Sequence, residues 1–222
     1  MVFLPITRER CEAMKLQYAM DTFTVEEALD MVARLKDVVD IFEVGTPVLL
    51  RYGLEAVKTI HRRHPDVCLL ADGKIIDGGE MEADFCYESG AEIATVMGLA
   101  NPGTIDGTLR SARKHNKKLF VDMMNVPNLE EKAAEFVAKG ADYICVHNAT
   151  DVLDMNRALA EAKRVAQAVP AEKLVIAGGI NPNTIAALKP FRPGLLIVGY
   201  AITKAKDPHE MAVTLRQIYQ NA

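Results

Sequence analysis

Apolar residues gather in eight short runs along this chain: Leu16–Met20, Val38–Val44, Val67–Ala71, Ile93–Met97, Leu119–Asp122, Tyr143–Val146, Leu174–Ala177 and Leu195–Val198. Each is followed by a stretch with helical spacing. That alternation predicts an α/β protein whose parallel strands are joined by crossover helices. Eight repeats are the number at which such strands close into a (β/α)8 TIM barrel. The runs are nearly continuous rather than alternating, as strands buried on both faces require. Helix boundaries are legible too. Thr24 precedes Val25-Glu26-Glu27 as a capping box, and Asn128 precedes Leu129-Glu130-Glu131 in the same way. Gly90 and Gly140 close helices before the fourth and sixth runs, where a left-handed residue is needed.

Composition narrows the class. A length of 222 residues suits one barrel domain over residues 14–222, preceded by an irregular N-terminal extension over residues 1–13. The apolar part of that extension, Met1–Ile6, is too short for a signal peptide. A chain of this size buries roughly 70% of its unfolded surface and needs no disulfide to hold a core. With 50% hydrophobic and 25% charged residues, disorder and coiled coil are both excluded. The formal charge of -4, without a long Lys/Arg run, gives no footprint for nucleic acid. No apolar stretch approaches the roughly 20 residues of a membrane span. The cysteines Cys11, Cys68, Cys86 and Cys145 form no CxxC pair and read as reduced thiols, with Cys68 and Cys145 buried, in a cytoplasmic protein.

In a barrel the chemistry sits at the C-terminal ends of the strands. Asp21 ends the first run, Glu43 lies in the second, Asp72 with Lys74 and Asp77 ends the third, Asp122 the fifth and His147 the sixth. Unpaired charges near a barrel interior are costly, so their joint placement points to a site. In an extended strand, residues two apart share a face, which lets Asp72 and Lys74 meet in the mouth. Asp77 lies past the turn, within reach of its own site or of one across a subunit interface. Such a cluster stabilises negative charge developing on a substrate oxygen. Glu43 and Asp72 both offer hard oxygens to a Mg2+ ion that keeps several waters. Gly178 and Gly179 after the seventh run, and Gly199 with Tyr200 after the eighth, expose backbone amides where barrels of this class frequently hold phosphate. Met123-Met124 reads as core, and His61-Arg62-Arg63-His64 as a solvated helix end.

From Met14 onward the chain resembles the 3-hexulose-6-phosphate synthases. The resemblance is carried by Lys15-Leu16-Gln17-Tyr18-Ala19-Met20-Asp21, by Val39 to Pro47 and by Ala71-Asp72-Gly73-Lys74-Ile75-Ile76-Asp77-Gly78-Gly79-Glu80. It continues through Thr95-Val96-Met97-Gly98, Val121-Asp122-Met123, Val146-His147, Ala177-Gly178-Gly179-Ile180 and Ile197 to Thr203. The Asp-x-Lys-x-x-Asp motif is shared with 3-keto-L-gulonate-6-phosphate and orotidine 5'-monophosphate decarboxylases. The resemblance implies Mg2+-dependent addition of formaldehyde to D-ribulose 5-phosphate, giving D-arabino-hex-3-ulose 6-phosphate, and the reverse cleavage. It implies a 1,2-enediolate stabilised by a metal near Glu43 and Asp72 and by Lys74. It further implies Asp21 on sugar hydroxyls, His147 as proton shuttle, and a homodimer in which Asp77 completes the partner's site.

Two features separate the chain from parts of that group. The gulonate phosphate decarboxylases usually carry Arg directly after the glycine of the eighth strand and Glu at the position of Asp122. Here Tyr200 and Asp122 stand there, which favours the synthase. The synthases in turn usually have a small residue where Tyr200 stands, and its ring is expected to narrow the phosphate pocket. After His147 the family pattern of Asp, Gln and Gly is reduced to Asp151, within Asn148-Ala149-Thr150-Asp151-Val152-Leu153-Asp154. A related decarboxylase or sugar-phosphate lyase is therefore the alternative. A non-catalytic phosphate-binding barrel is disfavoured by the charge cluster, and an epimerase-type barrel by the lack of further metal-binding His at the early strands.

Overall fold

The computed structural model describes residues 14–21 and 24–221. The extension expected over residues 1–13, with Cys11, lies outside them. Eight parallel strands close in sequential order: β1 (Lys15–Met20), β2 (Ile41–Val44), β3 (Cys68–Ile75), β4 (Ile93–Met97), β5 (Lys118–Asp122), β6 (Tyr143–His147), β7 (Leu174–Ala177) and β8 (Leu195–Val198), with β8 pairing β1. The helices are α1 (Val25–Leu35), α2 (Thr46–Tyr52), α3 (Glu55–Arg63), α4 (Gly79–Glu88), α5 (Pro102–His115), α6 (Leu129–Lys139), α7 (Met155–Val165), α8 (Tyr200–Thr203) and α9 (Pro208–Asn221). The expected (β/α)8 barrel is what the chain forms.

Strand alternation divides the core in two. One set of side chains, among them Leu16, Leu69, Ala71, Val121, Ile144 and Leu196, packs outward against the helices. The other, Ile41, Leu70, Ile93, Phe120, Tyr143, Cys145, Val175, Ala177 and Leu195, fills the barrel interior. This is the layered filling that makes such a barrel a solid core rather than a pore. Side chains on the interior phase one step nearer the C-terminal end are the ones that reach the mouth.

Several local expectations need correction. The second run begins too early: Val38 and Val39 belong to the turn after α1, and Asp40 is used structurally. Asp40 accepts a hydrogen bond from Leu16 N at 2.8 Å and pairs with Arg216 of α9, whose Nε donates to Val38 O at 2.7 Å. The third strand does not stop at Ala71 but continues to Ile75 through an irregularity, where Ala71 faces Ala94 yet Ile75 faces Val96. Lys74, at φ 44°, makes the bend. After β7 there is no α-helix but a 3-10 run, Ile185–Phe191, containing Pro190, whose missing N–H cannot support an α ladder. Thr24 forms the full capping box with Glu27. Asn128 does not cap, because its backbone is left-handed and its side chain makes no cap bond. Gly90 and Gly140 carry the positive φ expected of them. Cys145 is buried, whereas Cys68, the first residue of β3, is only half-buried. Met123 is buried, and His61, Arg62 and Arg63 are exposed at the end of α3, as expected. No described helix is long and apolar enough to cross a membrane.

Candidate active site

The interior phase of the strands turns polar toward the C-terminal end. Gln17 on β1, Glu43 on β2, Asp72 on β3, Thr95 on β4, Asp122 on β5 and His147 on β6 all line one cavity of about 830 Å3 at the mouth. Asp21, Lys74, Gly178, Gly179, Gly199 and Tyr200 line it as well. Every residue expected at the site is thus brought together except Asp77.

Asp72 is buried and receives three donors. Thr95 Oγ1 donates to its Oδ1 at 2.9 Å, while Thr46 Oγ1 and Lys74 Nζ donate to its Oδ2 at 2.8 and 2.6 Å. The pairing of Asp72 with Lys74 therefore exists, though not through regular extended strand: the bend at Lys74 folds the side chain back, and Thr95 Oγ1 fixes the bend by accepting from Lys74 N at 2.9 Å. Lys74 Nζ also lies 3.7 Å from Asp122 Oδ2. Burial alone would lower the pKa of the ammonium, but Asp72, Asp122 and Glu43 hold it above its ordinary value. These carboxylates favour the charged form of Lys74.

Glu43 is buried beside Asp72 and accepts from Gln17 Nε2 at 2.6 Å. Burial, reinforced by the charges of Asp72 and Asp21, pushes its carboxyl well above the usual range. Gln17 Oε1 next to it is buried without a hydrogen-bond partner. Asp21 stands at the open end of β1, where desolvation of its carboxyl and then the charge of Asp72 raise its pKa. Its Oδ1 occupies the space of a missing side chain at Gly45, where a Cβ would lie 2.0 Å away.

Asp122 Oδ2 lies 2.7 Å from His147 Nδ1, and its Oδ1 accepts from Met124 N at 2.9 Å. Burial works to raise the Asp122 pKa, but His147 and Lys74 outweigh it and hold the carboxylate below its ordinary value. With Nδ1 engaged by Asp122, Nε2 is the nitrogen of His147 left for a ligand.

Gly178 and Gly179 take φ of 93° and 74°. A Cβ on Gly178 would sit 2.0 Å from Asn148 O, so the turn tolerates no side chain there. Tyr200, whose ring was expected to narrow the phosphate pocket, lines the cavity. It is 78% exposed and borders the mouth. Asp77 is exposed in the loop between β3 and α4, where its Oδ1 accepts from Gly78 N at 2.8 Å. It does not line the cavity of its own chain.

Gln17, Thr46 and Thr95 are site residues whose roles the sequence left unassigned. Gln17 and Thr95 could have been found as polar residues interrupting apolar runs on the interior phase. Thr46, at the start of α2, carries no such mark, since its contact with Asp72 depends on how α2 docks.

The fit to a divalent cation can be tested on these residues. Among the described residues no group of three or more His, Cys, Asp or Glu is arranged as a protein-only metal cage. Magnesium rarely uses one, being held by one or two carboxylates and several waters. Glu43 and Asp72 would supply those carboxylates, and the orphaned Gln17 Oε1 would accept from a metal-bound water. The residues fit.

Comparison with known proteins agrees with this geometry. The chain is 39% identical over 206 residues to the 3-hexulose-6-phosphate synthase of Bacillus subtilis, covering 92% of this chain and 98% of that protein. It is 39% identical over 204 residues to the one from Staphylococcus aureus, covering 91% and 97%. The crystal structure of 3-hexulose-6-phosphate synthase from Salmonella typhimurium superposes with a TM-score of 0.87 at 36% identity, over 93% of this chain and 99% of that one. KGPDC from Streptococcus mutans, at 22% identity and a TM-score of 0.85 over 93% and 97%, shares the fold. The family model of orotidine 5'-phosphate decarboxylase / HUMPS matches residues 14–215, and this chain belongs to that family.

Proposed function

We propose that this protein is a 3-hexulose-6-phosphate synthase, an aldehyde-lyase joining formaldehyde to D-ribulose 5-phosphate and catalysing the reverse cleavage. The observation that carries the reading is the line of charges across the mouth: Lys74 between Asp72 and Asp122, with Asp122 in turn orienting His147. It stands beside relatives of that name at 39% identity over nearly the whole chain.

The chain's groups divide the work. Gly178, Gly179 and Gly199 receive the phosphate on backbone amides, and Asp21 holds sugar hydroxyls. A proton leaves the carbon beside the substrate ketone, the resulting enediolate carbon bonds to the formaldehyde carbon, and the formaldehyde oxygen takes up a proton. His147, through Nε2, moves protons at the reacting carbons and oxygens while Asp122 keeps its tautomer. Lys74 opposes the negative charge that develops on the substrate oxygen. Glu43 and Asp72 would hold Mg2+, which when bound supplies further positive charge at the substrate oxygens.

The protein acts as a homodimer with Asp77 reaching the partner's site. Ile76, next to Asp77, and Met81 and Phe85 on the following helix leave exposed apolar surface, at 52%, 57% and 49% exposure. Met81 and Phe85 share one face of α4, and a second copy of this chain is the natural cover for it.

Formaldehyde-dependent consumption of D-ribulose 5-phosphate by the purified protein with Mg2+ tests the reading. Fast consumption that EDTA abolishes supports it. Release of CO2 from 3-keto-L-gulonate 6-phosphate without formaldehyde-dependent consumption would overturn it in favour of the decarboxylase, the alternative that the altered segment after His147 keeps open.

A further inference from the structure

The cavity is unequally charged. Asp21, Glu43, Asp72 and Asp122 line it against Lys74, His147 and Lys204. Lys74 is held at 2.6 Å by Asp72 and lies 3.7 Å from Asp122, and His147 is held by Asp122. Lys204 is different: it has no carboxylate partner within ion-pair distance among the described residues, and its side chain is exposed at the mouth.

Its position is fixed by the backbone. Lys204 directly follows α8, and its N–H donates to Tyr200 O at 2.9 Å, which places it one turn beyond Gly199 and Tyr200. Gly199 is also where Asp21 comes close, since a Cβ there would lie 3.6 Å from Asp21 Oδ2. A phosphate dianion seated on Gly178, Gly179 and Gly199 therefore faces a carboxylate. Backbone amides offer only partial charges against it, and Lys74 is already engaged deeper in the mouth. An exposed ammonium at the rim meets the need: it is a compact charge with three donors on a flexible stem, and it gives up no ion pair among the described residues to reach the ligand.

We infer that Lys204 is the cation that binds the substrate phosphate, closing over it from the end of α8. This rests on the sugar-phosphate reading above and adds the residue that fixes affinity for the phosphorylated form. Tyr200, exposed beside it, forms the wall of the mouth and leaves the charge to Lys204.

The test is calorimetric titration of inorganic phosphate and of D-ribulose 5-phosphate into wild type, Lys204→Ala, Lys204→Arg and Lys204→Glu, with steady-state kinetics on each. Because Lys204 is exposed, the variants should melt as wild type does. A charge-assisted contact of this kind is worth about 10- to 100-fold in affinity. Kd for both ligands should rise by that factor in Lys204→Ala, rise further in Lys204→Glu and stay near wild type in Lys204→Arg. The loss should appear in KM rather than kcat, and the same substitution should change binding of D-ribulose, which lacks the phosphate, far less. Equal affinity of wild type and Lys204→Ala for ribulose 5-phosphate would overturn the inference alone. Failure of wild type itself to bind any sugar phosphate would overturn the functional reading and the inference with it.

Discussion

His147 Nδ1 lies 2.7 Å from Asp122 Oδ2, so the imidazole is held by one nitrogen and presents the other to the cavity. Asp122→Asn keeps the shape but replaces an acceptor with a group that can donate, which favours the wrong tautomer. The expected result is a fall in kcat of about 10²- to 10⁴-fold with a fold that stays intact by circular dichroism. A variant retaining near-wild-type kcat would remove His147 from proton transfer.

Lys74 and Asp77 are close in sequence but only Lys74 lines the cavity of its own chain. Lys74→Ala and Asp77→Ala should each be nearly inactive. If Asp77 serves the partner's site, mixed dimers of the two variants contain one intact site. Unfolding and refolding an equal mixture should then restore about a quarter of wild-type activity, because half of randomly paired dimers are mixed. No recovery in mixtures shown to exchange subunits would place Asp77 in its own chain's chemistry or outside it.

Gly178 and Gly53 both have positive φ, at 93° and 63°, yet only Gly178 has a neighbour in the way. At Gly53 an added Cβ meets nothing within 4 Å. Gly53→Ala should cost about 2 kcal/mol from backbone strain alone, because φ 63° with ψ −168° is a region that only glycine enters readily, lowering Tm by roughly 4–8 °C in a chain of this size. Gly178→Ala must push against Asn148 O and should cost several times more, with loss of phosphate binding. Equal melting temperatures for the two variants would contradict the close approach at the turn.

Asp84 ties α4 to α5 through Lys114 at 2.7 Å, Ser111 at 2.6 Å and His115 at 3.0 Å. These partners lower its pKa from 3.8 to about 2. A depressed carboxylate stabilises the fold above its unfolded pKa, and that contribution disappears as pH falls through the folded value. Asp84→Asn should therefore be less stable than wild type at pH 7 by about 1 kcal/mol in urea unfolding, the scale of a surface ion network. The gap should narrow between pH 3.8 and pH 2. A gap independent of pH would mean that the charge is not what joins the helices.

The eight strands were readable because a strand covered on both faces needs an unbroken apolar run, and that requirement is local. The same runs marked the mouth, since Glu43, Asp72, Asp122 and His147 are polar residues on the interior phase near strand ends. Gln17 and Thr95 follow the same rule, but a single polar residue in an apolar run has many uses, so the sequence assigns them no role. The missing helix after β7 and the uncapped Asn128 show the limit of local patterns: Pro190 and a left-handed backbone overrode them.

The sequence by itself determined the barrel, the phase of each strand and the set of charges delivered to one end, because period and burial are properties of neighbouring residues. Which charge meets which was decided only by closure. The bend at Lys74, the docking of Thr46 onto Asp72, the transfer of His147 to Asp122 and the absence of Asp77 from its own cavity all depend on the register between strands and on the path of the loops. An ion pair is set by distances of a few ångström between residues far apart in the chain, and only the folded barrel fixes those.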